Sequence, residues 1–390
     1  MGAAYLAPYG VGLGHASRLV MVADELQKHG FEIRFSSFGE AANFISMQGY
    51  RCAIVPAMEF AWSLEGGFSI KHSLANIPRW FTNFSRQVNQ EVRNISLHDP
   101  GVVVSDSRLS PIVGAKLVGT PSVVVLNQIK LLLSPRLREL AIARLFEDMI
   151  GELLGSMWSL ADRILVPDLP PPFTISSHNI WNIGSIARRL EYIGFTSPKH
   201  DVTESRMEQV AGSLGLVRTR PLVYVLVSGP SQTRMVLVRL AIEAAKLSDP
   251  KIQFVISEGK AKGSPEPRKI GESIWYYEWC PVRDEILAMC DALVLRGGHV
   301  ALSQAIQFGK PVLTVPIENH GEQLGNSRKI AELGMGRMLL PKCLTPKELM
   351  DGISELLANP QYRKQAEDAQ RMAGNLDGMA NLVQIVKSYL

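Results

Sequence analysis

The chain has 390 residues, of which 46% are apolar and 20% charged, with a mean hydropathy of +0.06. These values leave material for two hydrophobic cores and exclude a disordered chain, a mini-protein or a pure repeat array. Lys plus Arg number 41 against 37 Asp plus Glu, a formal charge of +4 that does not by itself argue for nucleic acid.

No run approaches the roughly 18–20 apolar residues that cross a bilayer. The N-terminus also lacks the basic region and small-residue cleavage site of a signal peptide, so a cytoplasmic protein is expected. Cys52, Cys280, Cys290 and Cys343 show no Cys-x-x-Cys spacing and are expected as buried free thiols.

Along the chain, apolar β-rich runs alternate with segments of helical period, the pattern of a parallel sheet covered on both faces. The first half offers Ala3–Tyr9 then Ser17–Lys28, Ile33–Phe38 then Ala41–Met47, and further runs at Val102–Ser105, Ser122–Leu126 and Ile164–Pro167. The composition then shifts to D-L-P-P-P from Asp168, where fixed proline φ angles favour an extended linker. The alternation restarts at Leu222–Val227 and continues through Gln253–Ile256, Ala292–Leu295 and Pro311–Val315. The expected organisation is therefore a first α/β domain over 1–170, a linker over 171–185 and a second α/β domain over 186–375. A C-terminal helix over 376–390, packing back on the first domain, completes it.

Open α/β sheets bind ligands beyond the carboxyl ends of their strands, so the candidate residues are sought there. The first strand ends in Gly10-Val11-Gly12-Leu13-Gly14-His15, glycines that let the backbone turn tightly and approach a ligand. The loop lacks the full spacing of a dinucleotide fingerprint. His15 would open a helix, where the dipole disfavours the imidazolium, so a neutral ring could accept a proton from an attacking hydroxyl. Asp106 ends Val102–Ser105 and either orients that imidazole or caps the helix beginning near Pro111. Asn127 and Gln128 end the next run with amides suited to ligand hydroxyls.

In the second half, Leu295-Arg296-Gly297-Gly298-His299 closes a strand and opens a helix. Exposed amides at a helix N-terminus, with Arg296 and His299 beside them, form a recipe for holding a phosphate or diphosphate. The following strand leads into Glu318-Asn319-His320-Gly321-Glu322-Gln323, whose carboxylate and amide groups suit the paired hydroxyls of a sugar.

The segment from Trp279-Cys280-Pro281 through Gly297-Gly298-His299 to Glu322, Gln323 and Asn326 resembles the donor-binding half of inverting GT-B glycosyltransferases. The similarity extends to the MurG-like enzymes, to the Alg-type N-acetylglucosaminyltransferases and to the UDP-glycosyltransferases. It is closest to archaeal MurG-like proteins, and the His15 loop resembles the acceptor half of the same families. The resemblance implies an α/β fold of GT-B type, with two Rossmann-like doubly wound domains facing each other across a cleft. It implies that Trp279, Pro281 and Val282 flank a uracil and that Ser228, Gly229 and Arg296 to His299 hold the diphosphate. Glu322 and Gln323 would then serve the donor sugar, with Asn326 also on the donor side, His15 would be the base or an acceptor contact with Asp106 its partner, and Gly12, Gly14, Asn127 and Gln128 would line the acceptor side. These families ordinarily place a Glu on the helix after the diphosphate loop to hold the ribose; this chain has Gln304 there.

No Asp-x-Asp occurs and the histidines lack metal-ligand spacing, so a metal-independent reaction is expected, with no cofactor beyond a UDP-sugar as co-substrate. The stretch Met58–Arg93, with Phe60, Trp62, Phe68, Lys71, Arg79, Trp80, Phe81, Phe84 and Arg86, mixes aromatic residues with cations. So does Ile129–Arg138, continuing to Arg144 and Trp158. Both suit a lipid-linked or lipid acceptor at a membrane surface, or ordinary helix packing with snorkelling basic side chains. The expected activity is transfer of N-acetylglucosamine or another hexose from a UDP-sugar to such an acceptor. The alternatives are a UDP-N-acetylglucosamine 2-epimerase and a non-catalytic nucleotide-sugar-binding partner subunit.

Overall fold

A computed structural model describes residues 2–11, 13–58, 77–130, 132–133, 137–197, 201–227, 229, 231–260 and 262–390, with the side chains of 77–80, 137, 231 and 232 excepted. The described residues form two compact units. Unit 1 contains those up to Ser197 together with Leu376–Leu390, and unit 2 those from 201 to Asn375.

Unit 1 runs β1 (Ala3–Pro8), α1 (Leu13–Lys28), β2 (Glu32–Ser37), α2 (Gly39–Met47), β3 (Cys52–Ile54) and α3 (Ile77–His98). It continues with β4 (Val102–Asp106), α4 (Leu109–Val118), β5 (Ser122–Val125), α5 (Ala141–Trp158), β6 (Arg163–Val166), α6 (Ser177–Ile180) and β7 (Leu190–Tyr192). The strands lie in the order β3-β2-β1-β4-β5-β6-β7, every described pairing parallel. Such a sheet is buried on both faces, which is why Val102, Val103 and Val104 form an uninterrupted apolar run and are all fully buried.

Unit 2 contains α7 (Glu204–Leu214), β8 (Leu222–Leu226), α8 (Ser231–Lys246), β9 (Gln253–Ser257), β10 (Arg268–Gly271), β11 (Ile274–Tyr277), α9 (Arg283–Met289) and β12 (Ala292–Leu295). It ends with α10 (His299–Gln307), β13 (Val312–Thr314), α11 (Gly321–Glu332), β14 (Gly336–Met338), α12 (Pro346–Ala358) and α13 (Pro360–Gly374). The order is β10-β11-β9-β8-β12-β13-β14, parallel except for the antiparallel β10–β11 pair.

In each sheet the strand order changes direction once along the chain, between β1 and β4 in unit 1 and between β8 and β12 in unit 2. Diverging connections leave a crevice at such a point, and ligands of open α/β sheets settle there. His15 and Asp106 follow the first pair of strands, and Gly229 and Arg296 to Gly298 follow the second.

The proline run is not the linker expected from its composition. The buried Asp168 carboxylate accepts from the backbone N–H of Leu169, Ile175 and Ser176 and from the Ser176 hydroxyl, folding the run into a tight turn within unit 1. The chain then adds β7 beside β6, and unit 1 extends to Ser197.

The final helix, α14 (Gly378–Lys387), belongs to unit 1. Its Leu382, Val383 and Val386 join the core built by Leu19, Val22 and Leu26 of α1 with Phe35 and Val104. The Asp377 side chain caps it by accepting from Ala380 N, and Asn381 donates to Ile193 O at 2.9 Å. Gly378 is required by close approach, since a Cβ there would lie 2.2 Å from Gly194 O. Among the thiols, Cys280 and Cys290 are buried, but Cys52 is only half-buried and Cys343, in the turn before α12, is exposed; all four are free.

Leu382 is wholly buried, so Leu382→Ala is expected to cost about 2–5 kcal/mol. Urea unfolding checks this; a midpoint equal to that of wild type would place α14 outside the core.

Candidate functional site

In unit 1 the candidate residues meet where α1 begins and β4 ends. His15 Nδ1 lies 2.7 Å from Asp106 Oδ1, and Arg18 donates to Asp106 Oδ2 at 3.0 Å. The Ser107 hydroxyl, on a residue at φ 59°, donates to Oδ1 at 3.3 Å. Asp106 is fully buried, whereas the His15 side chain is 26% exposed, so the imidazole spans from the carboxylate to the surface. A carboxylate on Nδ1 fixes the proton there and leaves Nε2 as the ring's lone pair. The Tyr9 ring stands edge-on to His15, with centroids 6.0 Å apart, and its hydroxyl donates to Met58 O.

Burial alone would push the Asp106 carboxyl up, but the Arg18 guanidinium and then His15 outweigh it and hold the group below the ordinary carboxylate range. Asp106 does not cap the next helix, which starts at Leu109 with Arg108 at its N-cap. Arg108 turns the other way, into a buried cluster with Glu91, the Ser36 hydroxyl and Ser36 O.

Gly14 lies exposed in the first turn of α1, and Gly12 lies outside the described residues. Asn127 and Gln128 follow β5, the strand beside β4; Asn127 is buried and the Gln128 amide donates to Lys130 O. Arg18 and Ser107 are contacts that reasoning from sequence missed. The available signal was an arginine three residues after His15 in an otherwise apolar stretch of helix.

In unit 2 the glycine turn after β12 carries the corresponding position. Gly297 has φ 83°, and a Cβ there would lie 2.3 Å from the Ser327 hydroxyl. Gly298 is the N-cap of α10 and supplies no side-chain hydrogen bond to the first-turn N–H groups, the kind of helix start at which anions bind. The fully buried Asn326 donates to Gly297 O at 3.1 Å, and Gln323 Oε1 accepts from Ile317 N at 2.9 Å. Both amides therefore shape the loops that the donor was expected to touch.

Arg296 differs most from expectation. It is 4% exposed and donates to Thr233 O at 2.5 Å and Val315 O at 3.3 Å, while its Nε has no hydrogen-bond partner. Burial lowers its pKa to about 10. Its guanidinium braces α8 and the exit of β13 instead of reaching outward.

His299, the first residue of α10, and Gln304, in the same helix, are buried, and Glu322 in the first turn of α11 is half-buried. His320 caps α11, and burial pushes its imidazole down against the opposing pull of Glu322. Gly229, at φ 114°, would place a Cβ 3.4 Å from the Ile317 side chain, so the loops after β8 and β13 adjoin; Ser228 lies outside the described residues. A cavity of about 310 Å³ opens at the ends of β8 and β9, lined by Leu226, Val227, Ser257, Trp279, Cys280 and Pro281 among others. Trp279 is 43% exposed, and Val282 is the N-cap of α9.

Comparison with known proteins adds to this geometry. Residues 224–382 match the glycosyltransferase family 28 C-terminal domain. An uncharacterized glycosyltransferase of Methanosarcina mazei is 26% identical over 370 residues, 95% of this chain and 93% of its own. A UDP-N-acetylglucosamine–N-acetylmuramyl-(pentapeptide) pyrophosphoryl-undecaprenol N-acetylglucosamine transferase of Bacillus cytotoxicus is 31% identical over 110 residues, 27% of this chain and 30% of that protein. Among solved structures, the glycosyltransferase VinC in complex with dTDP matches with a TM-score of 0.65 over 99% of each chain, at 17% identity. These structural neighbours have the GT-B fold.

Two outcomes test the geometry. Gly297→Ala is expected to lower the stability of unit 2 by about 1–3 kcal/mol, because positive φ and the Ser327 contact both oppose a side chain. Gly298→Ala, at φ −67° in open space, should cost well under that; equal thermal midpoints for the two variants would refute the account. Asp106→Asn leaves the buried Arg18 without its counter-charge, a loss of about 3–5 kcal/mol near neutral pH. The folded carboxyl sits below its unfolded value, so its contribution is complete above about pH 4 and is lost as pH falls through the folded value. The gap in thermal midpoint between wild type and Asp106→Asn should therefore narrow on acidification, and a constant gap would contradict the assignment.

Proposed function

We propose that this GT-B glycosyltransferase, whose residues 224–382 are a family 28 C-terminal domain, moves a hexose from a UDP-sugar to a lipid-linked or lipid acceptor, inverting the anomeric centre without a metal. N-acetylglucosamine is the favoured sugar, because the Bacillus cytotoxicus relative is named for that transfer. The 2.7 Å bond between His15 and Asp106 carries the mechanistic reading.

With Nδ1–H held by Asp106, Nε2 takes the proton of the acceptor hydroxyl as its oxygen attacks the anomeric carbon. The bond from that carbon to the diphosphate oxygen breaks on the opposite side, which inverts the centre. UDP departs with the electron pair, and the N–H groups that open α10 stabilise its charge. The cavity beside Trp279, Pro281 and Val282 would take the uracil, with Gln304 at the ribose and Glu322 and Gln323 at the sugar. Gly229 and the Gly297–Gly298 turn would hold the phosphates, with Arg296 and Asn326 bracing that turn. Gly14, Asn127 and Gln128 fall to the acceptor side.

For the lipid acceptor, the same relative is named for a pyrophosphoryl-undecaprenol substrate. α5 exposes Ile142, Leu145, Phe146, Met149 and Leu153 along the face opposite its buried Glu147, Gly151, Gly155 and Trp158. An apolar stripe of this kind suits the headgroup region of a bilayer. Trp158, by contrast, packs inward, Lys130 is buried against Asp148 and Arg138 pairs with Glu147. Of the earlier aromatic stretch, Phe60, Trp62, Phe68 and Lys71 lie outside the described residues, as do the side chains of Arg79 and Trp80. Phe81 is exposed on α3. No described helix is long and apolar enough to cross a membrane.

The reading is tested by UDP release from a panel of UDP-sugars in detergent, with and without a lipid extract of the source cells, followed by mass spectrometry of the lipids. Release that needs the extract, with a lipid gaining one sugar mass, is expected; isomerised sugar nucleotide without extract would favour an epimerase instead. His15→Ala should lower the transfer rate about 10²- to 10⁴-fold, and a rate within a few-fold of wild type would remove His15 as the base.

A further inference from the structure

Arg18 lies three residues beyond His15 on α1, a spacing that places both side chains on one helix face. Both converge on the carboxylate at the end of β4, His15 on Oδ1 at 2.7 Å and Arg18 on Oδ2 at 3.0 Å. Arg18 is 5% exposed and Asp106 not at all, so the ion pair is shielded from solvent and from salt. The groups facing Asp106 are His15 and Arg18 from α1 and the Ser107 hydroxyl at its own strand exit, with the Tyr9 ring from the exit of β1 standing against His15.

A carboxylate alone beside an imidazole favours the imidazolium, and a base already protonated cannot take a proton from an acceptor. Arg18 sets a second cation on the same carboxylate. We infer that Arg18 is a positioning residue for the transfer reaction: it holds Oδ2 and offsets the Asp106 charge, so that Asp106 orients His15 with less bias toward the imidazolium than an unpaired carboxylate would give. Both carboxylate oxygens are then committed, Oδ2 to the guanidinium and Oδ1 to Nδ1–H and the Ser107 hydroxyl. The carboxylate plane is fixed, and with it the direction of Nε2. The inference rests on the reading of His15 as the base.

The test compares Arg18→Gln, which keeps a donor but no charge, with Arg18→Lys, which keeps the charge. UDP release from UDP-N-acetylglucosamine with the lipid extract is followed across pH, alone and in combination with His15→Ala. Arg18→Gln is expected to lower kcat about 10- to 100-fold with little change in the donor KM, and to move the acid-side fall of the rate to higher pH. Arg18→Lys should restore most of the rate and the wild-type profile. In the His15→Ala background, Arg18→Gln should cost nothing further, because the two act as one unit.

An unmoved pH profile, a Lys variant no better than Gln, or a full additional loss in the His15→Ala background would overturn the role of Arg18 while leaving His15 as the base. A wild-type rate for His15→Ala would instead overturn the base itself, and the inference with it. Should Arg18→Gln not fold, the ¹⁵N spectrum of histidine-labelled wild type and Arg18→Lys decides. A proton held on His15 Nδ1 against Asp106 is expected in both, and its absence would refute the inference.

Discussion

Unit 1 is arranged around a carboxylate that water does not reach. An isolated buried Asp would be costly, and Asp106 is stable as an anion because one helix brings two partners to it, with a hydroxyl from the next residue adding a third bond. That requirement fixes much else. α1 must begin immediately after the turn that leaves β1, its face must be in register with the end of β4, and β1 and β4 must be neighbours. The parallel ladder between them supplies the last condition, and Tyr9 N extends it by donating to Asp106 O at 2.9 Å.

Unit 2 uses the same place in its sheet for the opposite charge. Where unit 1 buries a carboxylate, unit 2 opens a helix at a glycine that offers no side-chain cap and buries a guanidinium, Arg296, among backbone carbonyls. A cation so placed lends positive potential to the turn, and its bonds join α8 to the exit of β13. The two units thus place opposite charges at the same point of their sheets, a buried carboxylate in one and a buried guanidinium in the other.

How far this was legible in the amino-acid sequence varied with burial. The central strands were plain, because strands covered on both faces must be continuously apolar, as in Val102–Ser105 and Ala292–Leu295. β3, β7 and β14, short and set at the flanks of the sheets, carry too few residues to signal a period, and Arg268 to Gly271 of β10 is polar because it is an exposed edge. The meeting of His15 with Asp106 was legible because both follow strand ends, where such sheets gather polar groups. Arg18 was not, since a charge in an amphipathic helix is ordinarily solvated and only the fold shows it turned inward. The proline run misled for a related reason: proline stiffens a turn as readily as a spacer, and the choice here was made by Asp168, a buried cap whose partners lie up to eight residues away.

The placement of α14 carries a consequence for how the protein is made. Unit 1 takes residues from both sides of unit 2, and the α1 side chains Leu19, Val22 and Leu26 share their core with Leu382, Val383 and Val386. Synthesis runs from β1 toward α14, so the unit begun first is completed last, after the described residues of unit 2. During that interval the apolar flank of α1 formed by Leu19, Val22 and Leu26 stands without its cover, surface of the kind that exposes a nascent chain to association.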